Sequence, residues 1–72
     1  MKKRIDARGL SCPMPVIMVQ KEIKKSVPDV LEVLVDNRVA VENVTRFARS
    51  VEYAISCKEL GDEFVLVLTK RD

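Results

Sequence analysis

Apolar residues along the chain repeat with two periods, one near two residues and one near three to four. Lys2 to Ala7 is predicted as a short strand with Ile5 as its clear inward residue. From Pro13 to about Ser26, Val16, Val19, Ile23 and Val27 recur at helical spacing and predict one buried stripe, with Met14 and Met18 on roughly the opposite face. Ser26-Val27-Pro28-Asp29 ends that helix, and Lys21, Lys24 and Lys25 occupy its last turns, where positive charge suits the helix dipole. Val30 to Asp36 reads as a second strand, with Leu31, Val33 and Val35 on one face and Leu34 on the other. Asp36-Asn37 then supplies a turn and a cap for a second helix, from Arg38 or Val39 to Val51, which buries Val41, Val44, Phe47, Ala48 and Val51. Tyr53 to Lys58 and Glu63 to Lys70 read as two further strands joined through the hairpin signal Leu60-Gly61-Asp62.

The order βαβαββ predicts an α/β (α+β) fold, a two-layer sandwich of one four-stranded mixed sheet with both helices on one face. The short βαβ unit demands a right-handed crossover, which keeps the helices together. Residues 1–72 are expected to form a single domain. In such a layout strand ends and helix starts gather at one edge of the sheet, and the first strand-to-helix loop, residues 8–12, belongs to that edge.

Composition narrows the chemistry. Seventy-two residues build one modest core and no deep, substrate-enclosing pocket, so a site at the surface is expected. With 47% hydrophobic and 33% charged residues and only two glycines, the chain reads as an ordinary globule rather than a disordered segment. No apolar run approaches the roughly 18 residues that span a bilayer, and Lys2-Lys3-Arg4 leads into no signal-peptide segment, so a cytoplasmic protein without membrane contact is expected. The net charge of +2 is small and the basic residues are scattered, and with only Phe47, Tyr53 and Phe64 as aromatics there is no stacking platform interleaved with basic residues, which argues against a direct nucleic-acid ligand. Two cysteines are too few for a disulfide framework or a zinc site, and neither metal nor cofactor is expected. The chain contains no histidine, which removes Cys-His pairs, Ser-His-Asp triads and histidine metal sites together.

What remains is Cys12, in Ser11-Cys12-Pro13-Met14-Pro15. The first turn of a helix has backbone N–H groups without intrahelical acceptors and carries the positive end of the dipole, so it favours an anion. Proline is tolerated there, which places Pro13 at the first helical position, Pro15 two residues on and Cys12 at the N-cap. The N–H groups of Met14 and Val16 are then expected to face the sulfur, favouring thiolate and lowering the thiol pKa below its free value of about 8.5. The competing reading of Cys12 is a small buried hydrophobe.

Neighbouring residues divide between supporting and structural roles. Gly9 gives the freedom for a sharp turn into the cysteine. Asp6 is expected to hydrogen-bond the N–H groups of that turn, with proton acceptor as the alternative. Arg8 either steers an anionic donor or a partner's carboxylate, or is simply solvated. Met14 and Met18 read equally as an apolar docking rim beside the thiol or as outlying core residues. Cys57 alternates with Tyr53 and Ile55 and is expected to face inward, the alternative being a resolving partner for Cys12.

The run Asp6-Ala7-Arg8-Gly9-Leu10-Ser11-Cys12-Pro13-Met14-Pro15-Val16 resembles the signature of the TusA/SirA/YedF family of small sulfur-carrier proteins, in which Cys-Pro-x-Pro is the defining motif. The similarity extends over nearly the whole chain through the following helix, the strand ending in Asp36 and the βαβαββ order. Residues 35–47 look more like the YedF-like branch associated with selenium metabolism than like the tRNA-thiolation carrier; Asn37-Arg38 stands where the latter tends to have Asp-Pro. The resemblance implies a persulfide carrier rather than a stand-alone catalyst. Cys12 would accept sulfane sulfur from a donor such as a cysteine desulfurase or a rhodanese and relay it to an acceptor, a DsrE-like or tRNA-thiolation protein. The rival reading is a redox-responsive interaction module that uses Cys12 as a thiol switch.

Overall fold

The computed structural model describes residues 2–11 and 13–71, so Cys12 lies outside the described residues. The observed elements are β1 (Lys2–Asp6), α1 (Met14–Ser26), β2 (Val30–Val35), α2 (Arg38–Ser50), β3 (Tyr53–Leu60) and β4 (Glu63–Lys70). This is the βαβαββ order that the periodicity predicts. The strands form one mixed sheet in the order β1-β2-β4-β3. β1 runs parallel to β2, whereas β4 is antiparallel to both β2 and β3.

Alternation sets which face of the sheet is covered. Ile5, Leu31, Val33, Val35, Phe64, Leu66, Leu68 and Tyr53 are buried and stand side by side in register beneath the helices. Their strand neighbours Val30, Leu34, Val65 and Val67 are half-buried on the opposite face. From the helices, Pro15, Val19 and Ile23 of α1 and Ala40, Val41, Val44 and Ala48 of α2 complete the core. Among the described residues, no helix is long and apolar enough to cross a membrane.

Four sequence expectations shift. Val27 is 48% exposed rather than buried. The ring of Pro28 disfavours helical geometry at the residue before it, and Val27 ends the helix with a left-handed φ of 43°, its N–H still donating to Ile23 O at 3.0 Å. Val51 likewise falls past the last turn of α2 and is exposed, while Ala40 and Pro15 take up core space that the spacing had left unassigned. Met18 is not on an open face: roughly 100° round the helix from Val19, it packs at the margin of the core. Cys57 is exposed. By register it stands opposite the buried Leu66 on the helix-covered side, but β3 is an edge strand and the burial along it fades after Ile55.

Two contacts close the end of the sheet away from the candidate site. The buried Tyr53 hydroxyl donates to Pro28 O at 2.8 Å, and Lys70 N–H donates to Asp29 O at 2.9 Å. Burial in the first place raises the Tyr53 pKa. At the start of α2, Asn37 has extended backbone and its side chain accepts the Ala40 N–H at 2.8 Å, the expected cap.

Candidate functional site

β1 delivers the chain to the edge where the first strand-to-helix loop begins. Ala7, nearly fully buried, extends the parallel pairing by donating its N–H to Leu34 O at 2.8 Å. The next residues turn sharply. Gly9 has a φ of +75°, a left-handed conformation that costs L side chains steric energy, and its N–H donates to Asp36 Oδ2 at 2.8 Å. Leu10 is half-buried and packs against the core, while Ser11 and Pro13, the residues flanking Cys12, are exposed.

Asp6 organises the turn. Its Oδ1 accepts the backbone N–H of Arg8 at 3.1 Å and Arg8 Nε at 2.9 Å, and its Oδ2 accepts Arg8 Nη2 at 2.8 Å. Arg8 Nη1 reaches both carboxylate oxygens of Glu63 at 3.2 Å. The side-chain bonds from Arg8, followed by its backbone N–H, hold the Asp6 carboxyl down at about 2. The same carboxylates raise the Arg8 pKa, Asp6 first and Glu63 second. A carboxylate so acidic is a poor proton acceptor near neutrality, so the turn-stabilising role of Asp6 is the one its geometry supports. Arg8, expected either to steer an anion or to be solvated, instead faces two carboxylates of its own chain.

The entry to α1 differs from the expected register. Pro13 is the N-cap, with φ −102° and ψ 18° and no side-chain capping bond, and Pro15 rather than Pro13 lies inside the first turn. Met14 N–H donates to Ser11 O at 2.9 Å, and Pro13 O accepts from Ile17 N–H at 3.1 Å. The Met14 N–H is therefore occupied by backbone and is not the sulfur donor that the sequence predicts. The N-cap position assigned to Cys12 passes to Pro13, and the rest of the Cys12 reading falls outside the described residues. Pro15 is fully buried, which fixes the first turn of α1 onto the core. Met14 is 43% exposed and Met18 half-buried, so only Met14 of the expected rim stands well out in solvent.

Beside Pro13 an apolar hollow opens between the helices, lined by Val16, Asn43, Arg46, Phe47 and Ser50. On the other side of the loop, Asp6, Arg8, Gly9, Asp36 and Glu63 line a shallow polar depression. Sequence reasoning assigned no site role to Asp36 or Glu63. Asp36 is legible in the chain as a strand end and, with Asn37, as a turn and helix cap, and Glu63 is 55 residues from Arg8, with nothing local to link them.

Comparison with known proteins converges on one family. The family model described as sulfurtransferase TusA matches residues 3–70. A candidate sulfur carrier protein of Methanocaldococcus jannaschii is 33% identical over 70 residues, which span 94% of this chain and 93% of that protein. The crystal structure of a SirA-like protein from Desulfitobacterium hafniense matches with a TM-score of 0.87 at 27% identity, covering 97% of this chain and 99% of the other.

Proposed function

Because this chain belongs to the sulfurtransferase TusA family, we propose that it is a small sulfur carrier that holds sulfane sulfur as a persulfide on Cys12. The family match over residues 3–70, which includes the Cys12-Pro13-x-Pro15 motif, is the observation that carries this reading. In the loading step the Cys12 thiolate attacks the outer sulfur of a donor protein's persulfide. A new S–S bond forms at Cys12, the donor's S–S bond breaks, and the donor cysteine leaves as thiolate. The transferred sulfur keeps its oxidation state and its proton, so no external oxidant or reductant enters. Relay to an acceptor cysteine repeats the same exchange in the other direction.

Three features of the chain support the step. Cys12 stands two residues before α1, whose first turn contains no acidic side chain, so the helix dipole favours both thiolate and persulfide anions there. Without a histidine the chain has no ready general base of the kind that carbonyl-attacking cysteines use, whereas thiol exchange needs only a lowered pKa and access. The flanking Ser11 and Pro13 are exposed, as a handover between proteins demands. The donors proposed are a cysteine desulfurase or a rhodanese, and the acceptors a DsrE-like or tRNA-thiolation protein in sulfur or selenium metabolism.

Intact-mass measurement after incubation with a cysteine desulfurase and cysteine tests the reading. The wild-type protein and a Cys57→Ser variant should each gain the mass of sulfur, and a Cys12→Ser variant should gain none. Equal gain by Cys12→Ser, or no gain by wild type, overturns the proposal.

A further inference from the structure

The turn at Arg8 and Gly9 is fastened from outside its own segment by two side chains. Glu63, at the start of β4, takes Arg8 Nη1 on both carboxylate oxygens at 3.2 Å. Asp36, at the end of β2, takes the Gly9 N–H at 2.8 Å on one oxygen and the Asn37 Nδ2 at 3.3 Å on the other. Asn37 in turn caps α2, so the Gly9 amide is connected through Asp36 to the residue that opens the second helix. Beyond the turn the described chain has only Leu10 against the core before Pro13 caps α1.

From this geometry we infer that Asp36 and Glu63 act as positioning residues for sulfur exchange at Cys12: they hold the turn three to four residues upstream, and their loss slows the exchange. The inference rests on the sulfur-carrier reading. Exposed ion pairs and surface hydrogen bonds contribute little to global stability, so these ties are poorly explained as devices for keeping the domain folded. In-line attack on a disulfide-like bond, by contrast, is sensitive to misplacement of the reacting atom. Neither carboxylate needs to touch the sulfur for this to hold.

The experiment uses the full chain in a Cys57→Ser background, so that Cys12 is the single reactive thiol. Asp36→Ala, Asp36→Asn, Glu63→Ala and Glu63→Gln are compared for sulfur loading by a cysteine desulfurase with cysteine, for Cys12 alkylation by iodoacetamide, and for urea midpoint. Asp36→Asn loses the charge but keeps an acceptor for the Gly9 amide, which separates the hydrogen bond from electrostatics. Asp36→Ala and Glu63→Ala are expected to slow loading about five- to tenfold at a nearly unchanged urea midpoint, within the roughly 10²-fold that a 1 Å misplacement produces. Asp36→Asn is expected to recover most of the rate, and Glu63→Gln part of it. Wild-type loading and alkylation rates in both alanine variants would overturn the inference. So would a loss that merely tracks the folded fraction, or an Asp36→Asn variant as slow as Asp36→Ala. If the Cys57→Ser parent takes up no sulfur, the carrier reading fails and this inference fails with it; a parent that loads normally beside alanine variants that load equally fast overturns the inference alone.

Discussion

Arg8 meets Asp6 through the fork geometry that suits a guanidinium and a carboxylate, with contacts of 2.9 and 2.8 Å from Nε and Nη2. That pair gives the domain a defined acid response. The Asp6 carboxyl titrates at about 2 in the folded protein against 3.8 for an ordinary aspartate, first because of the Arg8 side chain. A lowered folded-state pKa means that the ionised form adds stability above the unfolded value, and that this contribution is lost as pH falls from about 4 to about 2. Asp6→Asn should therefore flatten the acid limb: its urea midpoint should fall less between pH 4 and pH 2 than that of wild type. Parallel acid limbs would show that the Asp6–Arg8 pair contributes nothing measurable. The pair is exposed, so the difference should shrink in high salt. Asp6 and Arg8 are two residues apart, and the turn role of Asp6 was readable from the chain. The second partner of Arg8 was not, because only the pairing of distant strands brings Glu63 to it.

Secondary-structure elements were readable wherever a local pattern decided them. Leu31, Val33 and Val35 recur at every second position, and all three are fully buried. Helix ends were less readable, because their geometry depends on how the chain leaves the helix. α2 ends at Ser50, and two residues later Glu52 adopts a φ of 62°, a left-handed position that glycine most often fills after a helix. The backbone there is fixed by a bond from Glu52 N–H to Arg49 O at 3.2 Å and by one from Arg71 N–H to Glu52 O at 3.3 Å. A side chain other than glycine pays roughly 1–2 kcal/mol in that region, part of which glycine returns through its greater freedom in the unfolded chain. Glu52→Gly is accordingly expected to stabilise the domain by about 0.5–1 kcal/mol in urea titrations; a destabilised variant would mean that the Glu52 side chain has a role its exposure hides. The misassignment of Cys57 has a related cause. Alternation correctly sets its face, opposite Leu66, but exposure at an edge strand depends on how far the covering layer reaches.

At the scale of the whole molecule, the two layers and the mixed sheet follow from element order and crossover handedness, whereas the place of β4 between β2 and β3 comes from the pairing. A cue for it is present in the chain. β4 keeps apolar residues at three successive inward positions, Phe64, Leu66 and Leu68, while β3 runs into Cys57 and Glu59 after Ile55. The strand with the continuous apolar face belongs in the middle. That arrangement concentrates stability in one layer of a domain only 32 × 20 × 19 Å across. At roughly 0.05–0.15 kcal/mol per residue, a chain of this length has on the order of 4–11 kcal/mol in all. Leu66 is fully buried at the middle of β4, facing Val33 on one side and Cys57 on the other. Leu66→Ala should cost about 3 kcal/mol or more, since removing a buried leucine side chain costs about 2–5 kcal/mol depending on how far the site collapses. Leu60→Ala, at the hairpin end of β3 where the side chain is 50% exposed, should cost less than about 1 kcal/mol. Urea unfolding of the two variants measures the contrast directly. Equal losses would mean that the core does not lie under the helices at β4, and a Leu66→Ala protein near its unfolding midpoint in plain buffer would show how little reserve a single-layer core holds.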